Sequence, residues 1–212
     1  MTVIPDATNA KALPVSADSS AGVGTARSEV GGSATRLDPR TEVETLHSTG
    51  VTIETKKLEG QQRRILAFTD VPFTAEQVWQ VLTDYDNLSN FIPNLSHSQR
   101  LSHSEGVIRL EQIGSQCFLN IKFCARVVLD MVEAFPRELR FSMVEGDFRQ
   151  FEGRWTLEPV ADTQGGMMRL GYDLLIRPPR AMPVTLIERH IRHDLSRNLK
   201  AISDRTAVVF GA

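Results

Sequence analysis

The chain has 212 residues and a formal net charge of −2, which is enough for one ordinary domain or at most two small ones. This near-neutral balance gives no reason to expect a nucleic-acid partner. Two cysteines are too few for a disulfide scaffold. No stretch approaches the roughly 20 apolar residues of a transmembrane helix. We therefore expect a cytoplasmic protein, with peripheral contact to a membrane left open.

The N-terminal part differs sharply in composition from the rest. All Phe, Trp and Tyr residues lie at or after Phe68, and the first 50 residues are rich in Ala, Thr, Ser and Gly. Such a composition cannot bury enough apolar surface to offset the entropy lost on ordering. We predict a disordered tail over 1–47 and a single folded domain over 48–212.

The first predicted elements are two strands and a helix. Residues 51–58 and 63–71 are rich in β-formers and end at turn residues. Thr74 and Gln77 have the spacing of a capping box, which predicts a helix start. A second short helix follows and stops at Pro93.

After this helix the apolar period changes from 3.6 to 2, which indicates an antiparallel sheet with one buried face. The clearest pattern runs from Cys117 to Met131, and it predicts one long strand that carries both Cys117 and Cys124 on opposite faces. The strand before it is expected to break at Gly114. Other strands are predicted over 94–103, 107–113, 139–143, 151–158 and 168–176.

The chain ends in a predicted long amphipathic helix that begins near Pro183. Apolar residues at helical spacing form one stripe, and basic residues occupy much of the opposite side. This basic side has two interpretations: it docks on anionic lipid headgroups, or it is the solvent face of the helix. Glu188, Asp194 and Asp204 are interspersed there, which favours the solvent face.

The order of strands and separate helices indicates the α+β class. Only the C-terminal helix is long enough to cover the apolar face of the sheet. A twisted sheet of about six strands is much wider than a helix of ~10 Å diameter. A curved sheet wrapped around this helix therefore leaves an apolar cavity, which is the default position of a ligand site.

Four segments resemble the START-like, or SRPBCC, superfamily, within it the polyketide cyclase/dehydrase and coenzyme Q-binding group. They are VWQVLTDYDNLSNFIPNLSHSQRL, CFLNIKFCARVVLDMVEAFPRELRF, FEGRWTLEP and RPPRAMPVTLIERHIRHDL. The resemblance covers about residues 50–208. It implies a helix-grip fold around a cavity for a lipid, quinone or isoprenoid-like molecule. The superfamily includes both enzymes and pure binders, so the fold does not choose between them.

The predicted ligand-binding residues lie on the inner faces of the elements around the cavity. They are Phe91, Ile92, Phe123, Val127, Phe141, Met143, Trp155, Tyr172, Met182 and Leu186. We predict no catalytic residue, no metal site and no cofactor, because the chain contains neither an HExxH pattern nor a glycine-rich phosphate loop before a helix.

A few polar residues leave alternatives open. Tyr172 and Tyr85 are candidate acid–base groups, and a core role with a bonded hydroxyl is the simpler interpretation. Glu111 faces the cavity in one strand register and solvent in the other. His190 and His193 are interpreted as part of a solvated helix face rather than as zinc ligands.

Three functions follow from these features. The first is binding of an apolar small molecule for transport or delivery, without catalysis. The second is a polyketide cyclase, aromatase or dehydratase that acts in the same cavity and needs at least two inward polar groups close together. The third is an accessory or assembly protein, which predicts a collapsed pocket.

Overall fold

The computed structural model describes residues 41–46, 50–101, 107–118, 121–161, 166–180 and 183–211. These residues form nine strands, two α-helices and one short 3-10 helix at Tyr85–Asn90. The helices are α1 (Ala75–Leu82) and α2 (Val184–Phe210). The strands are β1 (Thr41–Leu46), β2 (Val51–Lys57), β3 (Arg63–Val71), β4 (Leu95–Leu101), β5 (Ile108–Phe118), β6 (Ile121–Ala134), β7 (Glu138–Gly146), β8 (Gln150–Pro159) and β9 (Met168–Arg177).

The described strands form one curved antiparallel sheet in the order β1-β2-β3-β9-β8-β7-β6-β5-β4. Strands β3 and β9 are far apart in the sequence but pair with each other, so that Ala67 lies opposite Tyr172. The other pairs are neighbours in sequence, as expected for strands joined by hairpins. Together with the C-terminal helix, this sheet is the predicted α+β helix-grip architecture.

The sheet starts earlier and is more continuous than the sequence indicates. Backbone pairing of Thr41–Leu46 with β2 places β1 inside the segment expected to be a tail. Edge pairing needs only backbone hydrogen bonds, so aromatic content is a poor guide to it. Residues 1–40 lie outside the described residues.

Two expectations about the central strands are wrong. Strand β5 continues through Gly114, where the Ser115 N–H donates to the Asn94 carbonyl at 2.8 Å. Strand β6 begins only at Ile121, so Cys117 lies on β5, opposite Lys122, while Cys124 lies on β6. The alternation of apolar residues continues through both strands of this hairpin. The pattern therefore predicts one long strand where the structure has two.

Helix α1 begins as its capping box predicts. The Thr74 side chain accepts a hydrogen bond from the Gln77 backbone N–H at 3.3 Å, and the Gln77 side chain accepts one from the Thr74 N–H at 2.9 Å. Its apolar side places Val78 and Leu82 in the core. Helix α1 also contacts α2 and so supports one side of the long helix.

Helix α2 spans 27 residues and contacts β2 and β3. Leu195, Leu199 and Ile202 of its apolar stripe belong to the same core as the inner sheet residues. Glu188, expected on the solvent side, is instead buried and lies 2.7 Å from the Arg63 Nε of β3. The expectation was wrong because helical spacing does not reveal that a buried arginine on the sheet faces this position.

Candidate functional site

A cavity of about 650 Å³ lies between α2 and the inner face of the sheet. Most of its wall is apolar and comes from alternate residues of the central strands, since successive side chains of a strand point to opposite faces. The strands β5 to β9 contribute Leu110, Val127, Leu129, Met131, Leu139 and Leu174 among others, and α2 contributes Leu186, Ile187, Ile191, Leu195 and Ile202. The cavity therefore has room for a small molecule, whereas the accessory-protein hypothesis predicts a collapsed pocket.

Aromatic rings form one wall of the cavity. The Tyr172 ring stacks on Phe141 with centroids 5.6 Å apart and meets the edge of Trp155 at 4.3 Å. Phe151 continues this wall, 5.7 Å from Phe141 and 5.4 Å from Phe148. Such offset and edge contacts are the favoured arrangements of aromatic pairs, so the wall is preformed.

A glycine makes room for this wall. Gly153 lies between Phe151 and Trp155 on the inner face of β8, and a Cβ atom there would lie 2.7 Å from the Phe141 ring and 2.1 Å from the Asp173 carbonyl oxygen. Any side chain would displace the ring or the neighbouring strand. Gly153 therefore lets Phe141 lie flat against the sheet.

Six of the ten predicted ligand-binding residues line the cavity: Ile92, Val127, Phe141, Trp155, Tyr172 and Leu186. Phe123 lies on β6, but its side chain is outside the described residues, as is Met182. That the lining residues bind a ligand stays a prediction.

The structure places Phe91 and Met143 elsewhere among the described residues. Phe91 follows the 3-10 helix and lies beneath the Arg205 guanidinium at 5.6 Å, in a shallow depression beside the second half of α2. The tight turn directs the next residue, Ile92, into the cavity instead. Met143 packs on the core at the end of β7, near a shift in the β6–β7 register.

Polar residues also reach the cavity, and sequence reasoning missed most of them. His190, Asp194 and Asn198 are four residues apart on α2 and all line the cavity, because this spacing places side chains on one helix face. His190, interpreted as part of a solvated face, is half-buried and lines the cavity, whereas His193 is exposed. The i, i+4, i+8 spacing of these residues, directly beside the apolar stripe of α2, is the sequence signal that could have identified them.

Asp194 is hydrogen-bonded to Asn94, which lies just before β4. The Asn94 side-chain amide donates to the Asp194 carboxylate at 3.0 Å. Asn94 has a left-handed backbone with φ of 62°, a conformation that asparagine tolerates better than most residues. Burial raises the pKa of Asp194, while the Asn94 hydrogen bond and the nearby histidines and Arg197 oppose this shift.

The two tyrosines are poor acid–base groups. Burial is the main cause that raises the pKa of Tyr172, with the Asp173 carboxylate second. Burial also raises the pKa of Tyr85, whose hydroxyl donates to Glu133 at 2.7 Å. Both hydroxyls therefore stay protonated near neutral pH.

Glu111 points away from the cavity. Its carboxylate accepts a hydrogen bond from the Arg126 Nε at 2.6 Å, and Leu110 of the same strand is buried. The register that places Ile108 and Leu110 inside is thus the one adopted.

In the part of the chain that the structure describes, no three His, Cys, Asp or Glu side chains are grouped so that they could hold a metal ion. Among the same residues, no helix combines the length and apolarity needed to cross a bilayer.

Solved structures with the same architecture share little sequence with this chain. A STAR-related lipid transfer protein fragment from Xanthomonas axonopodis has a TM-score of 0.63 at 16% identity, covering 79% of this chain and 98% of its own. The aromatase/cyclase ZhuI from a Streptomyces species has a TM-score of 0.58 at 14% identity, covering 71% and 99%. Human STARD10 has a TM-score of 0.60 at 8% identity, covering 82% and 76%. These similarities show the fold.

Sequence comparison gives the family. No significant match was found among curated protein sequences. The family model described as polyketide cyclase/dehydrase and lipid transport, however, matches residues 71–203. This span runs from the end of β3 into α2 and includes most of the cavity wall. The chain therefore belongs to the polyketide cyclase/dehydrase and lipid transport family.

Proposed function

We propose that this protein binds an apolar small molecule, such as a lipid, quinone or isoprenoid-like compound, in the cavity beneath α2 and delivers it without chemical change. The observation that carries the proposal is a preformed cavity of about 650 Å³ with a mainly apolar and aromatic wall. Burial of an alkyl or prenyl chain contributes about 0.8 kcal/mol per CH₂ group, so such a wall binds a ligand without any catalytic group.

Extraction and titration test this proposal directly. Organic extraction of the purified protein followed by mass spectrometry is expected to recover an apolar compound. Because Trp155 lines the cavity, decylubiquinone is expected to quench its fluorescence to saturation. A Trp79→Phe background removes the second indole, which lies in the core beside Phe135.

A matched pair of variants shows whether the cavity is the binding site. Ala125 lines the cavity, and its neighbour Cys124 is exposed. Ala125→Phe fills part of the cavity and is expected to weaken decylubiquinone binding about tenfold or more, whereas Cys124→Phe leaves it unchanged. An empty extract together with unsaturable quenching in the unsubstituted protein would contradict the proposal.

A polyketide cyclase or dehydratase is the second candidate. It is favoured by one observation: the cavity wall contains adjacent polar groups, Asp194 with Asn94 at 3.0 Å and His190 one turn away. Mass spectrometry after incubation with a poly-β-keto thioester distinguishes the candidates. Delivery predicts that the compound is recovered unchanged, whereas cyclisation or loss of water that depends on His190 would establish the enzyme.

We also propose that exchange of the ligand takes place at a membrane surface near the start of α2. The Arg149 backbone N–H donates to the Arg177 carbonyl at 2.9 Å, and Arg180 follows three residues further along the chain. Repulsion from Arg177, then desolvation and repulsion from Arg180, lowers the pKa of Arg149. Their chain neighbours Phe148 and Pro183 line the cavity. A basic rim at an apolar opening suits contact with anionic headgroups.

A further inference from the structure

The row His190, Asp194 and Asn198 interrupts an otherwise apolar wall. Each residue is one helical turn from the next, directly beside the apolar stripe of α2. Leucine at these positions would extend the stripe and would favour the helix more than asparagine or aspartate. Helix stability therefore does not explain why polar residues occupy these three positions.

Asn198 is the residue of this row whose side chain has an unsatisfied hydrogen-bond acceptor. Its Oδ1 atom is buried and has no hydrogen-bond partner within the described structure. An unsatisfied buried acceptor costs free energy, and native proteins seldom contain one without a purpose. Asn198 itself lines the cavity, so a side-chain rotation that turns Oδ1 into the cavity would bring this oxygen within reach of a ligand donor.

The neighbouring polar groups show which kind of ligand group fits. The Asn94 amide donates to Asp194, and the Tyr85 hydroxyl donates to Glu133. These donors are directed at carboxylates of the protein, while the Asn198 oxygen remains available as an acceptor. An acceptor on an apolar wall selects a ligand with one hydrogen-bond donor on an apolar body.

We propose that the polar row of α2 binds the hydroxyl group of an apolar alcohol, with Asn198 Oδ1 accepting its hydrogen bond. This inference rests on the proposed function and adds the chemical class of the ligand to it. The rest of the ligand then lies along the aromatic wall formed by Phe141, Trp155 and Tyr172.

Two probes of equal chain length test the inference: dodecan-1-ol and methyl dodecyl ether. The ether keeps the apolar body and an acceptor oxygen but has no donor. In Trp155 fluorescence titrations, the alcohol is expected to bind about tenfold more tightly than the ether. Asn198→Leu is expected to remove this preference while ether binding is retained.

The control variant is Gln112→Leu. Gln112 also lines the cavity, but its amide already donates to the Ser98 hydroxyl at 3.3 Å. The alcohol preference is therefore expected to persist in this variant. Asn198→Leu removes an unsatisfied buried group, so thermal unfolding is expected to show a variant at least as stable as the unsubstituted protein.

Each result has a distinct meaning. Equal affinity for alcohol and ether, with saturable decylubiquinone binding, overturns the hydroxyl inference and leaves the proposed function intact. A preference that persists in Asn198→Leu also overturns the inference, because another group then binds the hydroxyl. Absence of binding by all three probes contradicts both proposals.

Discussion

At the scale of single residues, the polar groups of the cavity are the features that bear most directly on which ligand the protein binds. Asn94 and Asp194 come from different elements, and their hydrogen bond connects the residue before β4 to α2. In the proposed complex, the apolar lining residues define how much space the ligand has, whereas these polar groups define the position of its polar end.

Asp194 makes stability depend on pH. Its pKa is raised in the folded protein, mainly by burial, so folding favours the protonated carboxyl. The folded state then holds more protons than the unfolded state between the ordinary value of 3.8 and the raised value, and stability falls as pH rises through this window. Asp194→Asn is expected to raise the melting temperature at pH 7, with a gain that shrinks as the pH is lowered through the window.

Asp204 provides the comparison for this prediction. It lies on the same helix, is exposed and pairs with Lys200 at 2.6 Å. Asp204→Asn is expected to leave the melting temperature at pH 7 unchanged or slightly lower. If Asp194→Asn showed the same pH profile as the Asp204 variant, burial of the Asp194 carboxylate would have no thermodynamic effect.

At the scale of elements, the attachment of α2 to the sheet controls the shape of the cavity. Its second half is anchored by apolar residues, among them Leu199 and Ile202. Its first half is joined to β3 by the Arg63–Glu188 ion pair, whose side chains are only 10% and 7% exposed. This pair holds the first half of the helix, which lies over the cavity, against the sheet.

Breaking one side of this ion pair is expected to be costly. Glu188→Ala leaves the Arg63 guanidinium buried without its partner and is expected to lower the free energy of unfolding by about 3 kcal/mol, measured by urea denaturation. The double variant Arg63→Met with Glu188→Leu removes both charges and is expected to recover most of the loss. A double variant as unstable as the single one would show that the charges themselves contribute net stability.

At the scale of the whole molecule, one end of the cavity combines apolar and basic character. Leu186 is 36% exposed and also lines the cavity. Arg149 in the β7–β8 turn donates its backbone N–H to the Arg177 carbonyl, and Arg180 lies three residues further along the chain. Phe148 and Pro183, which line the cavity, are near them in sequence. This combination supports the proposal that the ligand enters at the basic end.

Vesicle sedimentation tests the proposed membrane contact. The protein is expected to bind vesicles that contain phosphatidylglycerol more strongly than pure phosphatidylcholine vesicles, with a loss of binding at high salt. Arg149→Glu with Arg180→Glu is expected to weaken binding about tenfold or more. Arg137→Glu, an exposed reversal in the turn at the opposite end of β7, should have no such effect; equal losses would contradict the basic rim.

The sequence determined the class of fold because its signals are local and repeated. Alternation along the strands, the Thr74 capping box and the apolar stripe of α2 each depend on neighbours a few residues apart. The same signals placed Trp155 and Tyr172 on the inner face. They were insufficient for β1 and for the β5–β6 hairpin, where strand pairing rather than composition sets the limits.

Tertiary structure alone decided the polar chemistry of the site. Whether Glu188 meets Arg63, whether Asp194 meets Asn94 and whether Glu111 points outward depend on residues far apart in the chain. Burial and partner choice are properties of the packed elements, and they decide the fate of a polar side chain. The sequence thus determined an apolar cavity beneath a long helix, and the packing of that helix decided which polar groups face the cavity.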